Sequence, residues 1–341
     1  MKCIRTEDAV GHVLCHDMTQ IIPGVSKGPR FRKGHVVTEE DIPVLLSMGK
    51  ENLFVWEMEP GMVHENDAAE RLAALCGREN MTWSETKEGK IELKSAIEGV
   101  FLVDSARLFA VNSIDELMIA TRRGGGTVHP GDKLAGTRVI PLIIREEKLR
   151  QAEQAAGSAP LLSVRPFVRR TAAVITTGSE VAKGRIPDSF TPVVERKLAA
   201  FGIRMTEHIL VEDGQENVLE AIEQMKRRPV DMILCTGGMS VDPDDSTPGA
   251  IKASGADIVT YGAPVLPGAM FLVSYLPDGH PVCGLPGCVM YAKRTIFDLV
   301  LPRLLADMPV TADWLAGLGH GGLCLNCADC HFPNCGFGKG I

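Results

Sequence analysis

Beyond residue 170 the chain settles into a regular alternation of short apolar runs and amphipathic stretches. The runs at 172–177, 204–211, 230–235, 257–261, 270–276 and 281–285 read as strands, and the stretches at 191–201, 217–226, 248–253 and 288–306 read as helices. Strands and helices in this order predict an α/β fold, a largely parallel, doubly wound sheet covered on both faces. The first half is patterned differently. Residues 80–144 read mainly as strands set apart by turn signals at Glu88-Gly89, Gly124-Gly-Gly126 and Pro130-Gly131-Asp132, with one short helical pattern at 114–120. Helices are expected at 39–48, with acids in the first turn and Gly49 at the end, at 68–75, and at 145–156 after a strand at 139–144. A strand is expected at 53–56. His64 and Glu65, ahead of the second helix, read as a solvated pair. Gly157-Ser-Ala-Pro160 marks a break, so we expect an N-terminal mixed α/β, β-rich region at 1–157, an α/β domain at 168–306 and a short Cys-rich C-terminal tail at 317–341.

Composition narrows the function classes. With 341 residues, 45% of them hydrophobic, the chain has ample material for more than one core. A formal charge of -7 and the lack of a Lys/Arg-rich run argue against nucleic acid as a partner, because binding a phosphate backbone needs a basic surface. No apolar run approaches the roughly 18 residues of a membrane span. Lys2, Arg5, Glu7 and Asp8 lie close together at the start without an apolar segment, which does not read as a secretory signal, so the expected compartment is the cytoplasm. Six of the ten cysteines are scattered, and Cys235 and Cys283 fall inside strand-like runs, where a thiol acts as a small apolar group.

Candidate chemistry concentrates between residues 231 and 247. The buried-strand run ends at Thr236-Gly237-Gly238, where missing side chains let backbone N–H groups approach a ligand closely. Asp242, Asp244 and Asp245 follow, then Ser246-Thr247-Pro248, in which Thr247 can cap a helix whose first position suits proline. A glycine turn beside clustered carboxylates suggests a site for phosphate groups, with a divalent cation between them and the acids. Two other runs end similarly, one in Gly178-Ser179-Glu180 and one in Pro286-Gly287. In an open parallel sheet, loops at the carboxyl ends of neighbouring strands open onto one crevice.

Four motifs carry a family resemblance across residues 170–306: Thr176-Thr-Gly-Ser-Glu-Val181, Glu212-Asp213, Gly237-Gly-Met-Ser-Val241 through Asp245, and Gly284-Leu-Pro-Gly287. In this order they resemble the molybdopterin-binding domain shared by the molybdopterin molybdotransferases (MoeA and the E domain of gephyrin) and the MogA-type molybdopterin adenylyltransferases. The resemblance implies active-site acids at Glu180, Asp213 and Asp245, a magnesium ion held by Asp242 and Asp245, and pterin contacts at Thr177, Gly178, Gly237, Gly238, Ser240, Gly284, Pro286 and Gly287. The carboxylates would serve as cation ligands or as water-positioners. The implied reaction joins molybdate to adenylylated molybdopterin and releases AMP; the implied partners are a phosphorylated pterin, molybdate, a molybdoenzyme client and further copies of the chain in a homo-oligomer.

The chain also departs from that pattern. Gly287 is followed by Cys288-Val289 where the family has a second loop proline, and the family's lysine-bearing stretch appears as Leu266-Pro-Gly-Ala-Met270. Ser179 stands where the family has an aspartate. The molybdotransferases' N-terminal D-N-S-A-M-D-G-Y motif is absent from residues 1–160, although the stretch from Gly34 to Gly49 is similar to a domain beside their pterin domain. Pterin binding is therefore a firmer expectation than molybdate insertion. A non-catalytic pterin-binding or delivery protein is the alternative, and an adenylyltransferase a third reading. Finally, Cys324, Cys327, Cys330 and Cys335 place four thiols within twelve residues, a spacing that can enclose Zn²⁺ or hold an iron–sulfur cluster, the C-x2-C-x2-C triplet leaning toward the cluster. His320 and His331 are substitute ligands.

Overall fold

The structure, a computed structural model, describes residues 2–22, 26–55, 60–240 and 246–340. The chain forms two compact units, Met1–Arg165 and Pro166–Ile341. None of the described helices is long and apolar enough to cross a membrane.

In the first unit, strand Lys2–Arg5 pairs with Asn52–Val55 and strand Met18–Ile22 with Ser26–Phe31. Together with helix Asp41–Ser47 they enclose a core that includes Leu14, Leu45, Leu53 and Val55. A second core, with Leu72, Ile91, Phe101 and Ile119, belongs to a four-stranded antiparallel sheet ordered Met81–Trp83, Lys90–Ser95, Lys133–Val139, Leu117–Thr121, and to helices Glu65–Ala74, Ser105–Asn112 and Glu146–Ala156. Two expectations fail here. The pattern at 114–120 is not helical: Leu117 and Ile119 point inward and Met118 and Ala120 outward, the period of a strand, and the helix lies earlier, capped by Asp104 accepting from the Arg107 N–H at 3.0 Å. His64 and Glu65 are buried, not solvated, with 2% and 8% exposure. His64 Nε2 lies 2.5 Å from the Cys15 carbonyl, which can only accept, so Nε2 carries the proton. Nδ1 then accepts from Lys33 Nζ at 2.8 Å and from the Asn66 N–H at 3.2 Å. Burial, aided by the Lys33 charge, holds this imidazole below its ordinary pKa, against the raising effect of the Cys15 carbonyl.

The second unit contains strands β1 (Thr171–Thr177), β2 (Arg204–Val211), β3 (Ile233–Thr236), β4 (Asp257–Tyr261), β5 (Leu272–Tyr275) and β6 (Pro281–Leu285). Its helices are α1 (Ser179–Ala182), α2 (Thr191–Ala199), α3 (Gln215–Met225), α4 (Thr247–Ala253), α5 (Ile296–Leu305) and α6 (Ala312–Gly317). The sheet runs β2-β1-β3-β6-β5-β4. The first four in that row are parallel, and β5 and β4 are antiparallel to their neighbours. After β1 the chain goes to β2 on one side and then to β3 on the other, so β1 and β3 flank a topological switch point. Thr176 pairs with Thr236 and Thr236 with Leu285, so β1, β3 and β6 end level and release their loops from one rim. The central strands are apolar because both faces are covered; Cys235 is fully buried and its thiol is pushed up to about 12 by desolvation.

The long helix expected at 288–306 is divided. A 3-10 turn occupies Gly287–Met290, and α5 starts only at Ile296, behind a capping box between Thr295 and Asp298. Asp298, with 5% of its side chain exposed, also receives Lys197 Nζ of α2 at 2.7 Å and the Arg294 guanidinium at 2.9 Å. This buried junction fixes the loop between β6 and α5.

Two outcomes follow from these buried groups. Asp298→Ala removes a cap and strands Lys197 without its partner, and chemical denaturation should show a loss of about 3 kcal/mol. An unchanged midpoint would contradict the junction. For His64, the lowered folded pKa means that the unfolded chain binds the extra proton; stability is therefore full above the unfolded value of about 6.5 and declines as pH falls below it. His64→Gln should flatten the slope of the denaturation midpoint between about pH 6.5 and 5.

Candidate functional site

The site is built where β1 and β3 end. Gly237 and Gly238 adopt φ of +84° and +57°, backbone that side-chain-bearing residues rarely take. Space forbids a side chain as well: a Cβ on Gly237 would overlap the Thr177 carbonyl oxygen, and one on Gly238 would sit 2.7 Å from Thr247 Oγ1. Thr247 was expected as a helix cap, but its hydroxyl donates to the Gly237 carbonyl at 2.9 Å, while its N–H donates to the Gly238 carbonyl at 3.2 Å. Both turn carbonyls are thus tied to the start of α4. Among the described residues the Gly237 and Gly238 N–H groups have no acceptor. They are a pair of backbone donors at the rim.

The neighbouring loop is braced by Asp213. Its carboxylate accepts from Thr177 Oγ1 at 3.1 Å and from the Ser179 N–H at 2.8 Å, and its own N–H approaches Ser179 Oγ at 3.3 Å. Burial tends to raise this carboxyl's pKa, but the Ser179 N–H and the Ser179 and Thr177 hydroxyls outweigh it and hold the pKa below the ordinary value. Asp213 is therefore engaged in holding β1's loop. Glu180, in α1, is exposed. Glu212 beside Asp213 is paired with Lys183 at 2.7 Å.

The structure brings Thr177, Gly178, Asp213, Gly237 and Gly238 into one cluster. Gly284 has another role: a Cβ there would collide with the Met239 thioether, so this glycine admits Met239 beneath the turn. Pro286 is buried behind it, while Gly287 is exposed with open space around it. Ser240 is exposed, and the Tyr261 hydroxyl donates to the Met239 and Ser240 carbonyls at 3.0 and 3.3 Å. Nothing in the sequence pattern singled out Tyr261, which reaches the turn from the edge strand β4. A hydroxyl network of Thr176, Thr191 and Thr236 lies behind the rim, with His208 Nε2 2.9 Å from Thr191 Oγ1 and Asp188 accepting from the same hydroxyl. The threonines at the ends of β1 and β3, Thr176 and Thr236, were its only sequence signal.

Asp242, Asp244 and Asp245 lie outside the described residues. Among the described residues no three His, Cys, Asp or Glu side chains are grouped so as to hold a metal ion. Cys324, Cys327, Cys330 and Cys335 form no such group, and their thiols do not converge on a common point. Cys327 and Cys330 are exposed and Cys324 and Cys335 half-buried.

Residues 173–306 match the family model described as a probable molybdopterin binding domain. This segment is similar to that family's domain. Residues 3–57 match a separate domain of unknown function. Over 90 residues the chain is 33% identical to a Bacillus cereus (strain AH187) protein described as competence-damage inducible, a match spanning 26% of this chain and 22% of that protein. The chain thus spans about a fifth of the length of this curated relative. Among solved structures it is similar to a Mog protein of molybdopterin biosynthesis from Mycobacterium ulcerans (21% identity, 39% of this chain, 91% of that chain, TM-score 0.32). It is also similar to a molybdopterin biosynthesis moea protein from Pyrococcus horikosii (14% identity, 89% of this chain, 74% of that chain, TM-score 0.33). The matched segment contains the whole braced rim, from Thr177 through Gly287.

Two substitutions separate the turn from its brace. Gly237→Ala should lower stability by about 3 kcal/mol, from positive φ and overlap together, whereas Asp213→Ala, at a largely exposed position, should cost about 1 kcal/mol. Because the folded pKa of Asp213 is depressed, its contribution is present above about pH 4 and fades only as pH falls through the folded value. Equal effects of the two substitutions in denaturant titrations would show that the turn is not the stiffer element.

Proposed function

We propose that the domain binds molybdopterin or its adenylate at the rim of β1, β3 and β6, as a molybdotransferase-type enzyme of molybdenum cofactor assembly. The observation that carries this reading is the Gly237-Gly238 turn, whose two N–H groups have no acceptor among the described residues although the carbonyls are fixed by Thr247. Such donors suit a phosphate oxygen and cost no reorganisation when it arrives. In this reading Thr177 and Gly178 line the adjoining wall, Ser240 adds a hydroxyl, and Gly287 leaves room on the third side. Glu180 is the exposed carboxylate available to orient a water or the incoming oxyanion. Asp213 holds Ser179 and Thr177 in place and does not touch ligand. Asp242 and Asp245 are proposed as the remaining acids, with magnesium neutralising charge on the cleaved anhydride when bound. Molybdate is the second substrate, and a cytoplasmic setting, self-association and a molybdoenzyme client belong to the same proposal.

The delivery reading has one observation in its favour. Leu266-Pro-Gly-Ala-Met270 carries no cation, and the backbone of its first residue is bonded to the tail: the Leu266 N–H donates to Gly322 O at 2.8 Å and Leu266 O accepts the Cys324 N–H at 2.8 Å. Incubation with adenylylated molybdopterin and molybdate decides between the two. The enzyme reading expects molybdate-dependent AMP release, lowered at least about tenfold in Glu180→Gln with pterin binding retained. Tight pterin binding without AMP release would assign the domain to delivery, and absence of pterin binding would remove both.

A further inference from the structure

The tail is not a loose appendage. Leu323 bridges Leu266, and the Gly338 N–H donates back to the Gly321 carbonyl at 2.9 Å, so residues 322–337 form a loop closed on itself. Its two ends are seated tightly. A Cβ on Gly322 would overlap the Pro264 carbonyl oxygen, and one on Gly338 would overlap the Leu299 side chain of α5. Between those ends the loop has neither helix nor strand beyond the single bridge. It also has little apolar cover: Phe337 is buried at 4% exposure, but Leu323 and Leu325 are 62% and 79% exposed. A closed loop of this length without secondary structure or core needs another source of order.

All four tail cysteines fall within this loop, and cations already face it. Lys293 Nζ donates to the Cys327 and Ala328 carbonyls at 3.2 and 2.7 Å. Arg294 lies over the Phe332 ring at 4.8 Å. An ammonium and a guanidinium held against the loop offset the negative charge that a cluster of anionic sulfurs would carry. Both cations come from the loop between β6 and α5 that the Asp298 junction holds.

We propose that Cys324, Cys327, Cys330 and Cys335 bind a thiophilic metal centre, a zinc ion or an iron–sulfur cluster, that orders the closed loop against residues 291–296. Since the thiols do not converge in this structure, loading draws them inward between the two fixed ends, and metal affinity is coupled to loop folding. The inference does not depend on pterin binding, because it is read from metal content and thiol count alone.

The test uses the full chain, purified without oxygen, with zinc, iron and acid-labile sulfide measured together, before and after incubation with each metal. About one zinc per chain, or about four iron and four sulfide with absorption near roughly 400 nm, is the expected result. The quadruple Cys→Ser variant at these positions should lose at least about tenfold of that metal. Should that variant fail to fold, thiol titration of the native chain substitutes: a chelator should expose about four additional reactive thiols. Retention of the metal by the quadruple variant overturns the proposal. So does a chain that takes up neither metal and whose tail thiols react freely throughout.

Discussion

The α-carbon of Gly237 lies so close to the Thr177 carbonyl that no side chain fits between them. That approach lets the loop after β3 lie directly on the end of β1, and every other feature of the rim is referred to it. Thr247 holds the turn from above through both carbonyls, Met239 tucks beneath it in the space left by Gly284, and Tyr261 reaches across from β4 to the next two carbonyls. Since a backbone turn so fixed cannot reorient, its N–H groups are presented at constant position, which is what preorganised recognition of an anion demands.

The acids divide by role. A carboxylate that accepts an N–H and a hydroxyl from one loop ties that loop down, so Asp213 keeps the β1 loop in shape, and its depressed pKa is the electrostatic trace of that work. Asp298 does the same for the loop after β6, at a buried position and with two cations. In both cases one carboxylate orders a loop at the rim. The first unit shows a further variant, with neutral His64 linking Cys15, Lys33 and Asn66 in a buried polar chain.

The apolar runs located β1 to β6 within a residue or three, the central strands most plainly, because a strand covered on both faces is apolar along its length. Where the sequence misled, a local rule met a competing one. The run at 288–306 is apolar enough for one helix, yet Thr295 and Asp298 cap a helix start inside it. Residues 114–120 fit a helical period loosely and a strand period strictly, and cross-strand pairing with Lys133–Val139 decided for the strand. His64 looked like a solvated residue because its partners, Cys15 and Lys33, are distant in sequence.

The sequence alone determined the α/β class, the strand order along the chain and the identity of the glycine turn, since periodicity and the demand for positive φ are local properties that residue types record. It also determined that four thiols lie close together in the tail. Only the tertiary structure decided that Asp213 faces inward to Thr177 and Ser179, that Gly284 serves Met239, that Thr247 braces instead of capping, and that the tail closes its loop beside Lys293 and Arg294. Those are contacts between residues far apart in the chain, set by which strands end level at one rim, and nothing in a local pattern encodes that register.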